Sequence, residues 1–476
     1  MRVHLIGVCG TGMGSLAGLL RSAGHRVTGS DAAFYPPMSE ALQRWGIETR
    51  VGFDPAHLEP RPDLVVVGNV CRPENPEARA AIASGMSYRS MPAALEELFL
   101  ADRDCFVLAG THGKTTTTAL LAFLLEAAGR QPGFLIGGIP LDFQESFRAA
   151  AAAHPFVIEG DEYDSAFFEK SPKFWRYRPL FAALNAVEHD HVDIYPDLPS
   201  YRAAFQGFVE RIPERGLLAA FAGDPEVRKL ARRARCRVLL YALKGDDCSG
   251  LVPEWTAIPM KRSNEEQSGE GLPFELLIDG RQAARMSSPL PGDHNLRNAL
   301  SALALAHLGA GVTLGELSRA LPRFRGVSRR QQLRGIAGGI RVYDDFAHHP
   351  TAVAETLRGM KKHHPSGKLI AIFEPRSATA SRRLHQEVYP DAFWPADLVF
   401  LAPVGRPEIA EEQKLDLEAI VEQIRASSRH AEAPGSIERI VARVSQLAEP
   451  GDTVVAMSNG PFGGIHDLLL RALKKG

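Results

Sequence analysis

The chain is poor in cysteine, in net charge and in long apolar runs. Its five cysteines, Cys9, Cys71, Cys105, Cys236 and Cys248, are scattered singly and form no C-x-x-C pair. Such a set argues against a disulfide framework or a cysteine-based zinc site, and it suits a reducing compartment. No apolar run approaches the ~18–20 residues that span a bilayer. The first residues, Met1 to Gly7, hold too short an apolar stretch for a secretory leader, so a cytoplasmic protein is expected. Lys and Arg number 55 against 56 Asp and Glu, a net charge of -1. That leaves none of the basic surplus that nucleic acid or an anionic membrane surface requires, and neither is expected as a partner.

What is present is an ordinary globular composition, 45% hydrophobic and 23% charged. At about 150 residues per domain, the length suggests roughly three domains. Short apolar runs alternate with helical patterns almost throughout, which predicts parallel α/β units. Strands are expected at 3–8, 26–29 and 64–67, with helices at 14–23, 39–45 and 76–83. A second series starts at 105–109, followed by an apolar helix at 115–128. A third starts near 340–343 and continues with strands at 368–373, 398–401 and 453–457. Boundaries are placed near 104 and 324, giving domains 1–104, 105–324 and 325–476. The polar stretch 263–271 (SNEEQSGEG) reads as an exposed loop of the middle domain. Summed over 1–104, 105–322 and 323–476, the charges are -2, -3 and +4, so the last domain is the better host for an anionic ligand.

The sharpest local chemistry is Gly110-Thr111-His112-Gly113-Lys114-Thr115-Thr116, between a predicted strand and a predicted helix. Glycines there let backbone N–H groups turn toward a polyphosphate, and the helix N-terminus adds favourable partial charge. Lys114 would reach the terminal phosphates, and the Thr115 hydroxyl would ligate Mg2+. The usual spacing calls for glycine five residues before Gly113, where this chain has Leu108, so the loop is a shortened G-x-x-G-K-T. A second glycine loop, Gly7 to Gly14, follows the first strand, and its spacing fits a dinucleotide fingerprint only loosely. It supports a pyrophosphate-containing ligand without specifying NAD; Asp31, after the next strand, could hold a ribose hydroxyl.

Four carboxylates crowd into Glu159-Gly160-Asp161-Glu162-Tyr163-Asp164 at a strand end, costly to hold together without a cation. A second strand end carries Asn185-Ala186-Val187-Glu188-His189-Asp190-His191-Val192-Asp193. Mg2+ beside ATP fits both, with a zinc pair or a solvated acidic turn as alternatives. Asn295 and Asn298, three apart at a helix start, can read an adenine edge or simply cap the helix. Asp344-Asp345-Phe346-Ala347-His348-His349-Pro350 opens the third domain and suggests a contact across a cleft.

Taken in order, GTHGKTT at 110–116, E-x-D-E at 159–162, N-x-x-x-x-D-H-x-D at 185–193, H-N-x-x-N at 294–298 and DDFAHHP at 344–350 resemble the Mur ligase family. These are ATP-dependent amide-forming enzymes of peptidoglycan metabolism, and the resemblance runs over essentially the whole chain. It implies an N-terminal Rossmann-like UDP-binding domain, a central P-loop ATPase domain and a C-terminal Rossmann-like domain that takes the incoming amine. Two branches share this glycine loop and the D-D-x-x-H-H-P run. One joins L-alanine to UDP-N-acetylmuramate; the other joins the tripeptide L-Ala-γ-D-Glu-meso-diaminopimelate during recycling. The stretches 29–39, 161–168, 374–377 (EPRS) and 457–466 (MSNGPFGGIH) resemble the second branch. Departures from the family pattern are Gly160 in place of Ala, and Gln331-Gln332 in place of an apolar residue and Glu.

The resemblance implies a lactyl carboxylate attacking the γ-phosphate of ATP to give an acyl phosphate and ADP; the peptide amine then attacks the acyl carbon, and the tetrahedral intermediate collapses to amide and phosphate. It assigns catalysis to Lys114, Glu159, His191 and His348, and ATP binding to residues 110–116 with Asn295, Asn298, Arg330 and Asp345. Thr115, Glu159 and His191 would hold Mg2+. The UDP-sugar would lie on Gly10, Thr11, Gly12, Met13 and Asp31. The peptide would meet Arg376 and Asn459. A monomer or weak homodimer that closes around its ligands is expected. The lysine that some relatives carbamylate has no counterpart at 190–206, where the chain has no Lys.

Overall fold

The computed structural model describes residues 1–151, 153–260, 271–406 and 408–474, so all but the last residue of the expected loop at 263–271 lies outside the described residues. Three large sheets follow one another along the described residues, with a two-stranded antiparallel pair, Asp164–Ala166 and Glu169–Pro172, within the span of the second. The first is wholly parallel, in the order Glu48–Val51, Arg26–Asp31, Arg2–Ile6, Leu64–Val67, Tyr88–Ser90. The strand order reverses beside Arg2–Ile6, where a doubly wound sheet opens a crevice at the carboxyl ends of its strands. The glycine loop that leads into the helix Thr11–Ser22 lies at that crevice.

The central sheet has ten strands, and its middle is parallel: Trp255–Pro259, Arg237–Leu243, Leu217–Phe221, Pro179–Leu184, Cys105–Ala109, Phe156–Gly160, Gly133–Leu135. Both margins turn antiparallel, against the expectation of parallel units alone. At one end Leu272–Ile278 and Arg281–Ser288 form a hairpin; at the other Phe147–Arg148 pairs with Gly133–Leu135. The hairpin has a local cause: Asp279 and Gly280 sit at φ +49° and +73°, the two left-handed positions of a turn whose twist matches paired strands. The third sheet repeats the device. Gln332–Ala337 folds back on Ile340–Asp345 through Gly338 and Gly339, and the remaining strands, Thr453–Met457, Leu369–Phe373, Leu398–Leu401 and His430–Glu432, run parallel.

Two helices form the centre of the middle unit. Lys114–Ala127 buries Thr115 to Leu125 without a polar face, so it is covered on every side. It packs against Asp293–Ala310, also buried from Leu296 to Ala306 apart from Arg297. The first and central units share one apolar cluster that joins Leu16, Met91 and Leu100 to Phe147, Phe156 and Phe174. The Phe147 ring occupies the space a side chain at Gly18 would need, 2.2 Å from an added Cβ. The third unit instead has clusters of its own on the two faces of its sheet. Among the described residues no helix is long and apolar enough to cross a membrane.

Candidate active site

The strand Cys105–Ala109 ends in a loop that turns directly into the helix Lys114–Ala127. Gly113, at φ +79°, precedes that helix, and a Cβ there would lie 2.2 Å from Asn298 Oδ1. Both the backbone and the neighbour therefore require glycine. The Lys114 ammonium folds back over the loop, donating to Gly110 O at 2.7 Å and to Glu162 Oε2 at 3.1 Å. Glu162 is fully buried, accepts from Tyr201 Oη at 3.0 Å and faces His191 Nε2 at 3.1 Å. Burial alone would raise its carboxyl, but Lys114 and His191 hold it down at about 2. Burial works against charge on Lys114 and His191 too; the surrounding carboxylates outweigh it and raise both.

Beside this pair, the Thr115 hydroxyl donates to Glu159 Oε1 at 2.8 Å, and Gly137 N–H donates to the other oxygen at 2.7 Å. Arg330, from the far side of the cleft, reaches Thr115 Oγ1 at 3.2 Å while its guanidinium lies 4.8 Å over the Phe346 ring. Glu159 is raised by burial and by Asp161. A carboxylate held this way, next to a threonine hydroxyl, favours a small hard cation.

His191 takes a left-handed backbone, φ +54°. Asp190 beside it accepts from Thr379 of the third unit at 2.6 Å, and His348 Nε2 stands 4.0 Å away. Burial holds His348 neutral, near 4. Asn295 donates to Pro291 O at 2.8 Å and to Gln331 Oε1 at 2.9 Å; Asn185 donates to Asn298 Oδ1 at 3.2 Å. Asp345 receives the Gln331 and Ala347 N–H groups at 2.7 and 2.8 Å. Lys114, Glu159, His191, Arg330, Asp345 and His348 line a cavity of about 580 Å³ between the central and third units, which also reaches His112, His349 and Asn459.

The first-unit residues and Arg376 stand elsewhere. Gly10, Thr11, Gly12, Met13 and Asp31 lie together in the first unit. Asp31 accepts from Cys9 and Ala32 N–H, each at 2.8 Å, so its carboxylate holds the loop shut, and Met13 is buried beneath Gly68. These offer a ligand backbone N–H groups and the helix N-terminus more than side chains. Arg376 does not line the cavity: its stem packs on Gly405 and Gly460, and Nη1 faces Glu374 at 3.6 Å. Asn459, next to it, does line the cavity, and its buried Oδ1 has no hydrogen-bond partner.

Sequence reasoning assigned no role to Glu162, Asp190, Thr379 or Gln331. Glu162 lay inside a quoted motif, but its position just past the end of a strand hid its direction.

The contacts define a class: a P-loop enzyme whose nucleotide cleft is shared between two domains. Comparison with known proteins supplies the family. Residues 2–103 match the Mur ligase family catalytic domain, 108–306 the Mur ligase middle domain and 329–460 the Mur ligase glutamate ligase domain. The chain belongs to the Mur ligase family, and it is an ATP-dependent, amide-forming ligase. It is 38% identical over 476 residues (100% of this chain, 99% of the relative) to the UDP-N-acetylmuramate–L-alanyl-γ-D-glutamyl-meso-2,6-diaminoheptandioate ligase of Escherichia coli. A UDP-N-acetylmuramate–L-alanine ligase from Roseiflexus is 33% identical over 100% of both chains. The crystal structure of a murein peptide ligase from Psychrobacter arcticus superposes with a TM-score of 0.71 at 36% identity, covering 100% of this chain and 99% of that one.

Proposed function

We propose that the protein joins the murein tripeptide L-Ala-γ-D-Glu-meso-diaminopimelate to UDP-N-acetylmuramate, with ATP giving ADP and phosphate. The observation that carries the choice of substrate is the full-length likeness to tripeptide ligases, held at higher identity than the full-length likeness to the alanine ligase. In this reading residues 1–104 hold the UDP-sugar on the loop at Gly10 to Met13, 105–324 hold ATP, and 325–476 present the peptide. The +4 charge of the last segment suits a peptide with three carboxylates and two amines.

The central residues supply positioning and charge, which is what phosphoryl transfer demands. On ATP binding Lys114 turns from Glu162 toward the terminal phosphates. Arg330 meets the same charge from the opposite wall. Asn295 and Asn298 take the adenine end and Asp345 the ribose. Thr115 and Glu159 would hold one Mg2+, and His191, released from Glu162, would ligate a second; the oxygen donors and the raised Glu159 carboxyl fit such an ion. Held there, such an ion would supply positive charge to offset that of the phosphoryl group. His348, neutral in the cavity wall, would orient the attacking amine or the acyl phosphate. Asn459, with its unpartnered Oδ1, and Arg376 behind it select the peptide. The proposed enzyme works in the cytoplasm as a monomer or weak homodimer.

The test is phosphate release with UDP-N-acetylmuramate, ATP and Mg2+, comparing the tripeptide with L-alanine. Higher kcat/KM for the tripeptide is expected; preference for free alanine would move the chain to the alanine branch.

A further inference from the structure

A second group of ligand atoms lies beside the phosphate loop, apart from the Mg2+ donors. His112 Nε2 stands 3.1 Å from Glu188 Oε2, and His349 Nδ1 stands 3.3 Å from the same oxygen. One atom from each of the three residues falls within a sphere where all are within 4.8 Å of one another. His349 Nδ1 is buried and makes no hydrogen bond, so it is an orphaned polar atom aimed at a carboxylate.

Zn2+ bound tetrahedrally at about 2.0–2.1 Å to nitrogen and oxygen sets its ligands roughly 3.3 Å apart along each edge. The two short separations already match that edge; only the imidazoles must draw toward each other. Burial and the neighbouring His112 push His349 down to about 3, which leaves its ring lone pair free near neutral pH. Imidazole with carboxylate is a donor set that favours Zn2+ and other late first-row ions over Mg2+. One feature opposes a cation: His349 caps the N-terminus of the helix Pro350–His363. The full negative charge on Glu188, kept ionised with its carboxyl near 2, outweighs that partial positive charge.

We propose that His112, Glu188 and His349 form a binding site for a borderline divalent cation of the Zn2+ type, with water as the fourth ligand. His112 and Glu188 belong to the central unit and His349 to the third, so the ion ties the two walls of the cleft together at the mouth of the phosphate loop. The site does not depend on which amine the ligase accepts.

The experiment is Zn2+ titration of the full-length protein against a chromophoric chelator, in excess Mg2+ so that hard-cation sites are filled. About one tight equivalent is expected in the wild type and none in the His112→Asn/His349→Asn double variant, with Glu188→Gln weakened. Absence of a tight equivalent in the wild type, or its retention in the double variant, overturns the proposal. X-ray absorption of the Zn2+-loaded wild type provides a reading independent of how the variants fold. Two imidazoles among the ligands support the site; a sulfur ligand or an oxygen-only shell overturns it. Ligase activity enters neither readout, so failure here is separable from failure of the proposed reaction.

Discussion

Replacing Glu162 with Gln removes the fully buried charge that faces Lys114 and His191 and keeps the volume. The shift of its carboxyl from 4.5 to about 2 corresponds to roughly 3 kcal/mol of folding stability at neutral pH. A second route gives a similar figure, since removing one partner of a buried ion pair costs about 3–5 kcal/mol. The sign follows from a depressed folded-state value. The contribution is fully present above pH 4.5 and is lost as pH falls toward about 2. Glu162→Gln should therefore be less stable than wild type by roughly 3 kcal/mol at pH 7, a gap that narrows steadily below pH 4.5. Urea unfolding followed by tryptophan fluorescence suits the measurement, because Trp175 and Trp255 both report from the central unit. Adding Lys114→Met should recover part of the loss by removing the stranded ammonium. A variant within about 0.5 kcal/mol of wild type at pH 7, with an unchanged pH slope, would refute the pairing of Lys114 with Glu162, because that difference is the size of an ordinary surface substitution.

Gly113→Ala forces a side chain into a left-handed backbone and against Asn298, so it should cost at least about 1–2 kcal/mol. ATP affinity, read by calorimetry, should fall with it. Arg330→Lys keeps the charge but loses the flat contact with Phe346 and the fixed fork toward Thr115; kcat should fall by about 10²-fold with a smaller change in KM for ATP. Thr379→Val removes the hydrogen bond to Asp190 across the cleft, worth about 1.5–3 kcal/mol to a charged acceptor. Hydrogen exchange at residues 346–351 should quicken while exchange in the first unit stays unchanged.

The phosphate loop was legible because its signal is contiguous: glycines, lysine and threonine between an apolar strand and an apolar helix. The two glycine-containing hairpins were equally legible, as Asp279-Gly280 and Gly338-Gly339 are short-range turn signals. The reading missed them by following the parallel pattern on either side. Glu162 differs in kind. Past the end of the strand Phe156–Gly160, no period fixes which way a side chain points, so the lysine's partner could not be chosen among four carboxylates. The bond from Thr379 to Asp190 spans 189 residues and links the central and third units, and nothing local in either segment announces it. Arg376 shows a different limit: a loop sequence does not announce that the stem of this arginine packs on Gly405 and Gly460, outside the lining of the cavity.

The contacts that join the three units differ in chemistry, and this decides which of them moves. Between the first and central units the apolar cluster is continuous, so separation would expose Phe147, Leu16 and Phe99 to water. Fully burying each such side chain is worth about 1.5–3 kcal/mol, which makes that joint expensive to open. Across the cavity the bridges are polar: Arg330 to Thr115, Thr379 to Asp190, His349 to Glu188 and Lys362 to Asp293. Each involves a charged group and is worth about 1.5–3 kcal/mol at most, but water can take up both partners as the cleft opens, which it cannot do for the apolar cluster. In the proposed reaction the third unit would thus be the one to swing, carrying Arg330, Asp345 and His348 with it. On that proposal, a site assembled from a fixed half and a hinged half would admit a UDP-sugar, ATP and a peptide separately, then exclude water once Arg330 and His348 close on them.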